Sequence, residues 1–249
     1  MIDGQAPVET FDEIDSTILE ARRRADRGEV APVWLIAKRQ TAGRGRRGRA
    51  WASLDGNLLA TYLFSTTQPP SQIALLGFAT GLAIADTIEA MIGPGRATLK
   101  WPNDVMIDGA KAAGILLDSG ALPGGGVWAA LAFGVNLAVA PKAIDQPTAS
   151  LREMLPLDAL TPEPLAFLAA LRPRLEAWDG RLAREGFEPL RQAWTKRAHK
   201  LGDIVRVALG QDTIEGRIAG LSPRGELELD TETGRRLIAA GDVLLPNAA

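Results

Sequence analysis

The chain has 249 residues, of which 46% are hydrophobic and 23% charged, and its formal net charge is −2. That length suits one large domain or a medium domain with a small appendage, and so large an apolar share excludes a disordered chain. No cysteine and a single histidine, His199, exclude disulfides, thiolate catalysis, cysteine-bound zinc and a multi-histidine metal site, and the acidic balance argues against nucleic-acid binding through overall basicity. Met1 to Thr10 is polar and mixed, with no basic-then-apolar signal segment. Thr10 to Ile14 reads as a short strand, and Ser16 to Arg27 as a helix stopped by Gly28. Thr17 and Glu20 fit a capping box at its start, while Ser16 and Thr17 are equally placed to touch a ligand.

Val33 to Lys38 is a compact β-like run, and Asn57 to Phe64 is a second buried strand. Between them lies RQTAGRGRRGRAW, Arg39 to Trp51. From Lys38 to Arg49 there are six basic residues and no acid. Glycines let backbone N–H groups approach an anion, and arginines add planar donors suited to phosphate and carboxylate. The segment therefore reads as a small-anion loop that closes over its ligand, as an RNA-binding segment, or as a solvated basic loop. It is no Walker A motif, because the Gly-Lys-Ser/Thr ending is missing.

Gln72 to Ile92 is a long helix, apolar nearly all round, which places it centrally. Its most apolar part, Ile73 to Ala85, is too short and too soon charged to cross a bilayer, so a cytoplasmic protein is expected. TLKW and DVMI follow, then Asp108-Gly109 as a hairpin turn, then KAAGILLD. KWPND, Lys100 to Asp104, puts a cation, a ring, a rigid turn, an amide and a carboxylate within five residues. Asn103 and Asp104 can project from it into a cleft, unless it is an ordinary surface turn. Ser119 to Gly126 reads as a loop and VWAALAFGVNL as another strand; Pro162 to Gly186 and Glu188 to Lys200 are helical. From Asp203 onward DIVRVAL, TIEGRIAGL, ELELD, RRLIAA and DVLL alternate with turn signals, which suggests a small barrel. Residues 1–198 are expected to form an α+β, mixed-sheet domain and residues 199–249 the barrel. His199 falls at that junction as a surface or hinge residue, and Trp34, Trp128, Trp178 and Trp194 read as packing residues.

QTAGRGRRGRAW, KWPNDV, KAAGIL and GVNL, in this order, with DST (Asp15 to Thr17) upstream, resemble bacterial biotin protein ligases over nearly the whole chain. The resemblance implies a catalytic domain related to lipoate ligases and an SH3-like C-terminal barrel. It also implies ATP-dependent formation of biotinyl-5′-AMP, with magnesium, and transfer of biotin to a lysine of a biotin carboxyl carrier protein. By that resemblance Ser16, Thr17, Gln40, Gly43, Arg44 and Arg46 contact biotin or its adenylate. Arg47 and Arg49 close over it, and Trp51 packs against the loop. Lys111 meets the biotin carboxyl and the α-phosphate, and Gly114 lines the biotin pocket. Asn103 and Asn136 sit by the nucleotide, Asp104 receives the acceptor lysine, and Arg46 and Lys111 share the charge of the reaction. The sequence departs from the pattern at Ile18, where the family often carries asparagine. A helix-turn-helix domain, present in some members, has no room before residue 10, so no DNA binding is expected. Monomer and homodimer are both open. The alternatives are a lipoate or octanoate ligase on the same fold, a nucleic-acid-binding module using the loop, and an inactive regulator.

Overall fold

The computed structural model describes residues 2–142 and 146–244. Seven strands form one mixed sheet: β1 (Val8–Ile14), β2 (Val33–Gln40), β3 (Leu58–Thr66), β4 (Ala97–Lys100), β5 (Asp104–Ile107), β6 (Ala110–Ala121) and β7 (Val127–Val135). Their order is β1-β2-β3-β7-β6-β5-β4, with β1 and β2 parallel and every other pair antiparallel. Helix α1 (Thr17–Asp26) makes the β1-to-β2 crossover that a parallel pair requires. The other joins in β4 to β7 are tight. Asp108 and Gly109 both take positive φ, 47° and 84°, which is the type I′ hairpin expected of a DG pair. Ser119 to Ala121, expected in a loop, instead continue β6, paired with Ala129 to Val127; only residues 122–126 turn. The glycines and the proline of that stretch marked the turn correctly but not where pairing stops.

The apolar runs have no polar alternation because both faces of the sheet are covered. On one face Trp34, Ile36, Tyr62 and Phe64 pack with helices α3 (Leu76–Ile92) and α5 (Pro164–Glu185). On the other, Val33, Leu35, Leu63 and Ala130 pack with Ile18, Ala21 and Ala25 of α1. Ile18, where the family often has asparagine, is thus a packing residue of this second face. The expected helix over 72–92 breaks at Leu75, leaving a short α2 (Pro70–Ala74) ahead of α3. By length and composition Pro70–Ile92 could cross a membrane, a longer span than the Ile73–Ala85 run; it is instead a core helix, most of it buried under β4, β5 and β6. The capping box expected of Thr17 and Glu20 does not form: Ser16 is the N-cap without a side-chain bond, and Glu20 pairs with Arg23 and Arg24. A capping box does form at Ser150 and Glu153, opening the one-turn helix α4 (Leu151–Met154). Trp34, Trp128 and Trp194 are buried packing residues, and Trp178 donates to Asp86 Oδ2 at 2.7 Å.

After α6 (Glu188–Lys196) the chain runs beside β4, where His199 N donates to Leu99 O at 2.9 Å. His199 is half-buried, its Nδ1 3.2 Å from Thr98 Oγ1; burial and the nearby lysines push it below the ordinary histidine value. All five short strands that follow exist: β8 (Ile204–Leu209), β9 (Asp212–Leu221), β10 (Leu227–Thr231), β11 (Gly234–Ile238) and β12 (Asp242–Leu244). Leu245, placed in the last run by sequence, lies outside the described residues. The strands form an antiparallel sheet of order β11-β10-β9-β8-β12. Val205, Val207, Leu229 and Val243 join the same core as the large sheet, and Trp101 Nε1 donates to Gly225 O at 3.2 Å. The small sheet is therefore fastened to the KWPND turn.

Candidate active site

Helix α1 covers only part of its face of the sheet. Beyond its N-terminus, Leu59, Thr61, Ala132 and Gly134 continue the same face in register with Gly114 and Leu116. All of these but Thr61 floor a cavity of about 1060 Å³. Gly114 and Gly134 are direct cross-strand partners. The Trp51 indole lies flat against them: a Cβ built on Gly134 would stand 2.3 Å from the ring, and one on Gly114 2.8 Å. Only glycine permits so close an approach at both positions.

Trp51 reaches this floor because the loop before it folds on itself. Trp51 N donates to Gly43 O at 2.9 Å and Gly45 N to Arg49 O at 2.7 Å. At the tip, Arg46 to Gly48 make a single 3₁₀ turn in which Arg47 takes a left-handed φ of 55°. The end wall is built by α1 and β2. Gln40 Oε1 accepts from Thr17 N at 2.7 Å and Thr17 Oγ1 at 3.1 Å, and Thr17 Oγ1 accepts from Thr61 at 2.8 Å. Ser16, fully buried, lines the same wall.

The opposite wall is cationic. Lys111, early on β6, places Nζ 2.7 Å from Asp104 Oδ1 and over the Trp51 ring, 5.5 Å from its centroid. The Asp104 contact is an ion pair outside hydrogen-bond alignment, so Oδ1 keeps an unfilled acceptor. Lys100 stands 3.8 Å from Asp104 Oδ2 and donates to Gln146 at 2.8 Å. Burial pushes Lys100 below the ordinary lysine value, and Asp104 draws it back up. Asn103 donates to Ile115 O at 2.7 Å and accepts from Arg46 at 3.4 Å. Asn136 braces this wall from behind, with Nδ2 3.2 Å from Ala149 O and 3.4 Å from Lys111 O.

Twelve of the fourteen residues proposed from sequence line this one cavity. The exceptions are Gly43, which closes the base of the loop, and Arg47, whose guanidinium turns to Asp242. Four participants were given no site role from sequence. Asn57 Oδ1 accepts three backbone amides, Leu137 to Val139, and so fixes the chain after Asn136. Gln146, Lys100 and Asp242 are the others; Lys100 was noted as the cation of the KWPND motif but not placed in the site. Among the described residues, six buried side-chain polar atoms have no hydrogen-bond partner, and three of them, Trp51 Nε1, Asp104 Oδ1 and Asn136 Oδ1, belong to residues on this cavity. Unpaired buried polar atoms are rare and cluster where a ligand completes them. The arrangement can hold an apolar ring system against Trp51 and a polyanion against the lysines and arginines.

The chain is similar to known proteins over both of its sheets. The biotin/lipoate A/B protein ligase family matches residues 13–136, and the biotin protein ligase C terminal domain matches residues 200–245. The biotin–[acetyl-CoA-carboxylase] ligase of Paracoccus denitrificans is 37% identical, over 92% of this chain and 96% of that protein. The ligase of the same name from Mycobacterium tuberculosis is 34% identical, over 89% and 82%. A biotin protein ligase from Aquifex aeolicus, solved in complex with biotin and ATP, aligns with a TM-score of 0.79 at 25% identity, covering 97% of this chain and 99% of that one. The chain belongs to the biotin/lipoate A/B protein ligase family, and within it to the biotin protein ligases that carry the C-terminal domain.

Proposed function

We propose that this protein joins biotin to ATP, giving biotinyl-5′-AMP and pyrophosphate, and then transfers biotin to one lysine of a biotin carboxyl carrier protein of acetyl-CoA carboxylase or a related carboxylase. The observation that carries the reading is the position of Lys111, ion-paired with Asp104 at 2.7 Å on the wall of a cavity floored by Gly114, Gly134 and Trp51. In the first step a biotin carboxylate oxygen bonds to the α-phosphorus, and the bond from that phosphorus to the bridging oxygen of pyrophosphate breaks. Two anions must meet, and fixed positive charge at the α-phosphate lowers that barrier. Lys111 supplies it, with Arg44, Arg46, Arg47 and Arg49 above. Ser16, Thr17 and Gln40 hold the polar end of biotin, and Gly43 sets the loop that carries Arg44 and Arg46. Asn103 and Asn136 flank the nucleotide.

In the second step the acceptor amine attacks the acyl carbon, AMP leaves, and the amine proton passes to Asp104. A free lysine has a pKa of about 10.4, so a carboxylate base is needed to expose the neutral amine. The folded loop keeps water from the mixed anhydride in the interval. Magnesium usually keeps several waters and needs few protein ligands, so it requires no acidic cage here. Asn103 would offer it an oxygen on the cavity wall, and the ion would neutralise the departing pyrophosphate. Residues 1–198 are the catalytic domain and 199–249 the barrel. We also propose that the enzyme is cytoplasmic, monomeric or homodimeric, and without a DNA or membrane partner.

The test is incubation with ATP, magnesium, an apo-carrier domain and either biotin or lipoate, read by intact mass. Biotin is expected to add to the carrier, dependent on ATP. Addition of lipoate alone would make the protein the other member of its fold family. No addition, together with salt-sensitive RNA binding, would replace the enzyme with a nucleic-acid module.

A further inference from the structure

Asp242, the first residue of β12, receives three arginines from a loop almost two hundred residues earlier. Its carboxylate lies 3.0 Å from Arg49 Nη2, 3.2 Å from Arg47 Nη1 and 3.4 Å from Arg46 Nη1. One carboxylate against three guanidinium groups leaves an excess of two positive charges in that small volume. Held so close, the three cations repel one another, and Asp242 is the anion that draws them together. The backbone is bent to the same end: the left-handed turn at Arg47 brings neighbouring side chains to one point instead of splaying them. Arg46 is further steadied by Asn103, on the KWPND side of the cavity. Asp242 is itself firmly placed. Val243 beside it is buried in the shared core, and Trp101, next to Pro102 and Asn103, is bonded to the barrel at Gly225.

We propose that Asp242 is a positioning residue that pre-assembles the arginine loop for nucleotide. Its carboxylate gathers the same guanidinium groups that phosphate oxygens would draw, and so holds the loop folded over the cavity before ATP arrives. The ordering of the loop then belongs to folding rather than to binding, which leaves more of the phosphate attraction to appear as affinity. The C-terminal barrel thereby acts at the first chemical step without touching the reacting atoms. The inference rests on the proposed reading of the loop as the phosphate strap.

The experiment uses the full chain with Asp242→Asn, which keeps size and removes charge, and Asp242→Glu, which restores it. Hydrogen exchange over residues 43–50 in the protein without ligands is expected to quicken in Asp242→Asn and to return to the parent rate when biotin and ATP saturate. In biotin-dependent ATP–pyrophosphate exchange, Asp242→Asn is expected to raise KM for ATP about tenfold with kcat within about twofold, and Asp242→Glu to recover most of the loss. Parent-like exchange and KM in Asp242→Asn would overturn the inference. A lowered KM for ATP would also do so, by making Asp242 a competitor of the nucleotide. So would faster exchange spread through residues 204–238 with a lowered melting temperature, which is what a merely structural role predicts. If the parent protein makes no biotinyl-adenylate, the functional reading fails; the exchange arm, which needs no activity, still judges Asp242.

Discussion

On one face of the seven-stranded sheet, Trp34, Tyr62 and Phe64 stack beneath α5 and α3, with ring centroids 4.6 and 5.3 Å apart. On the other, about three residues further along the same strands, Leu59, Gly114 and Gly134 lie beneath a single indole. Both faces belong to strands that read as continuous apolar runs. They differ in what covers them and in side-chain size. A long helix pair over large residues yields a packed core, whereas a ten-residue helix that stops short, over small residues, leaves a hollow. Where packing is complete, side chains serve stability. Where it is interrupted, unpaired polar atoms and cations collect, and chemistry becomes possible.

Substitutions on the two faces should therefore separate activity from stability. The largest effect is expected for Lys111→Ala: adenylate formation, followed by biotin-dependent ATP–pyrophosphate exchange, should fall about a thousandfold while the melting temperature barely moves. Survival of that rate would mean that the hollow face is not the reacting one. Leu82→Ala tests the opposite side. Leu82 is fully buried in α3, and its truncation should cost about 3 kcal/mol in urea unfolding, with KM values unchanged. Asp104→Asn should slow transfer from preformed biotinyl-adenylate about a hundredfold and leave its formation nearly intact, in single-turnover experiments with a carrier domain.

Two glycines give the finest contrast. Gly134→Ala puts a Cβ 2.3 Å from the Trp51 ring, so the indole must leave its bed, and KM for biotin should rise about tenfold. Gly81→Ala, in α3, puts a Cβ 3.4 Å from Leu99 and 3.6 Å from Ile115, which is ordinary contact. It should stabilise the protein by about 0.5–1 kcal/mol and leave catalysis alone, because alanine loses less backbone freedom in a helix. Equal kinetic effects from the two would erase the distinction between the faces.

Much of the fold was legible because its signals are local. The DG pair forecast its own turn, the apolar runs forecast buried strands, and the change of texture near His199 forecast five short strands. The misses have local causes too. Ser119 to Ala121 looked like a loop because turn residues adjoin them, yet pairing with β7 carries β6 through. Thr17 matched a capping pattern, but Gln40 and Thr61 offered its hydroxyl better partners from across the sheet.

By itself the sequence determined most of the strand and helix inventory, the mixed α+β class, the cationic loop and the candidate lysine and carboxylate, since periodicity, turn chemistry and motif spacing are all properties of neighbouring residues. Tertiary structure alone decided that Trp51 rests on two facing glycines, that Lys111 pairs with Asp104, and that Asp242 gathers arginines 193 to 196 positions away. Electrostatic attraction and close packing depend on distance through space, and only the folded chain brings such distant residues within reach of one another.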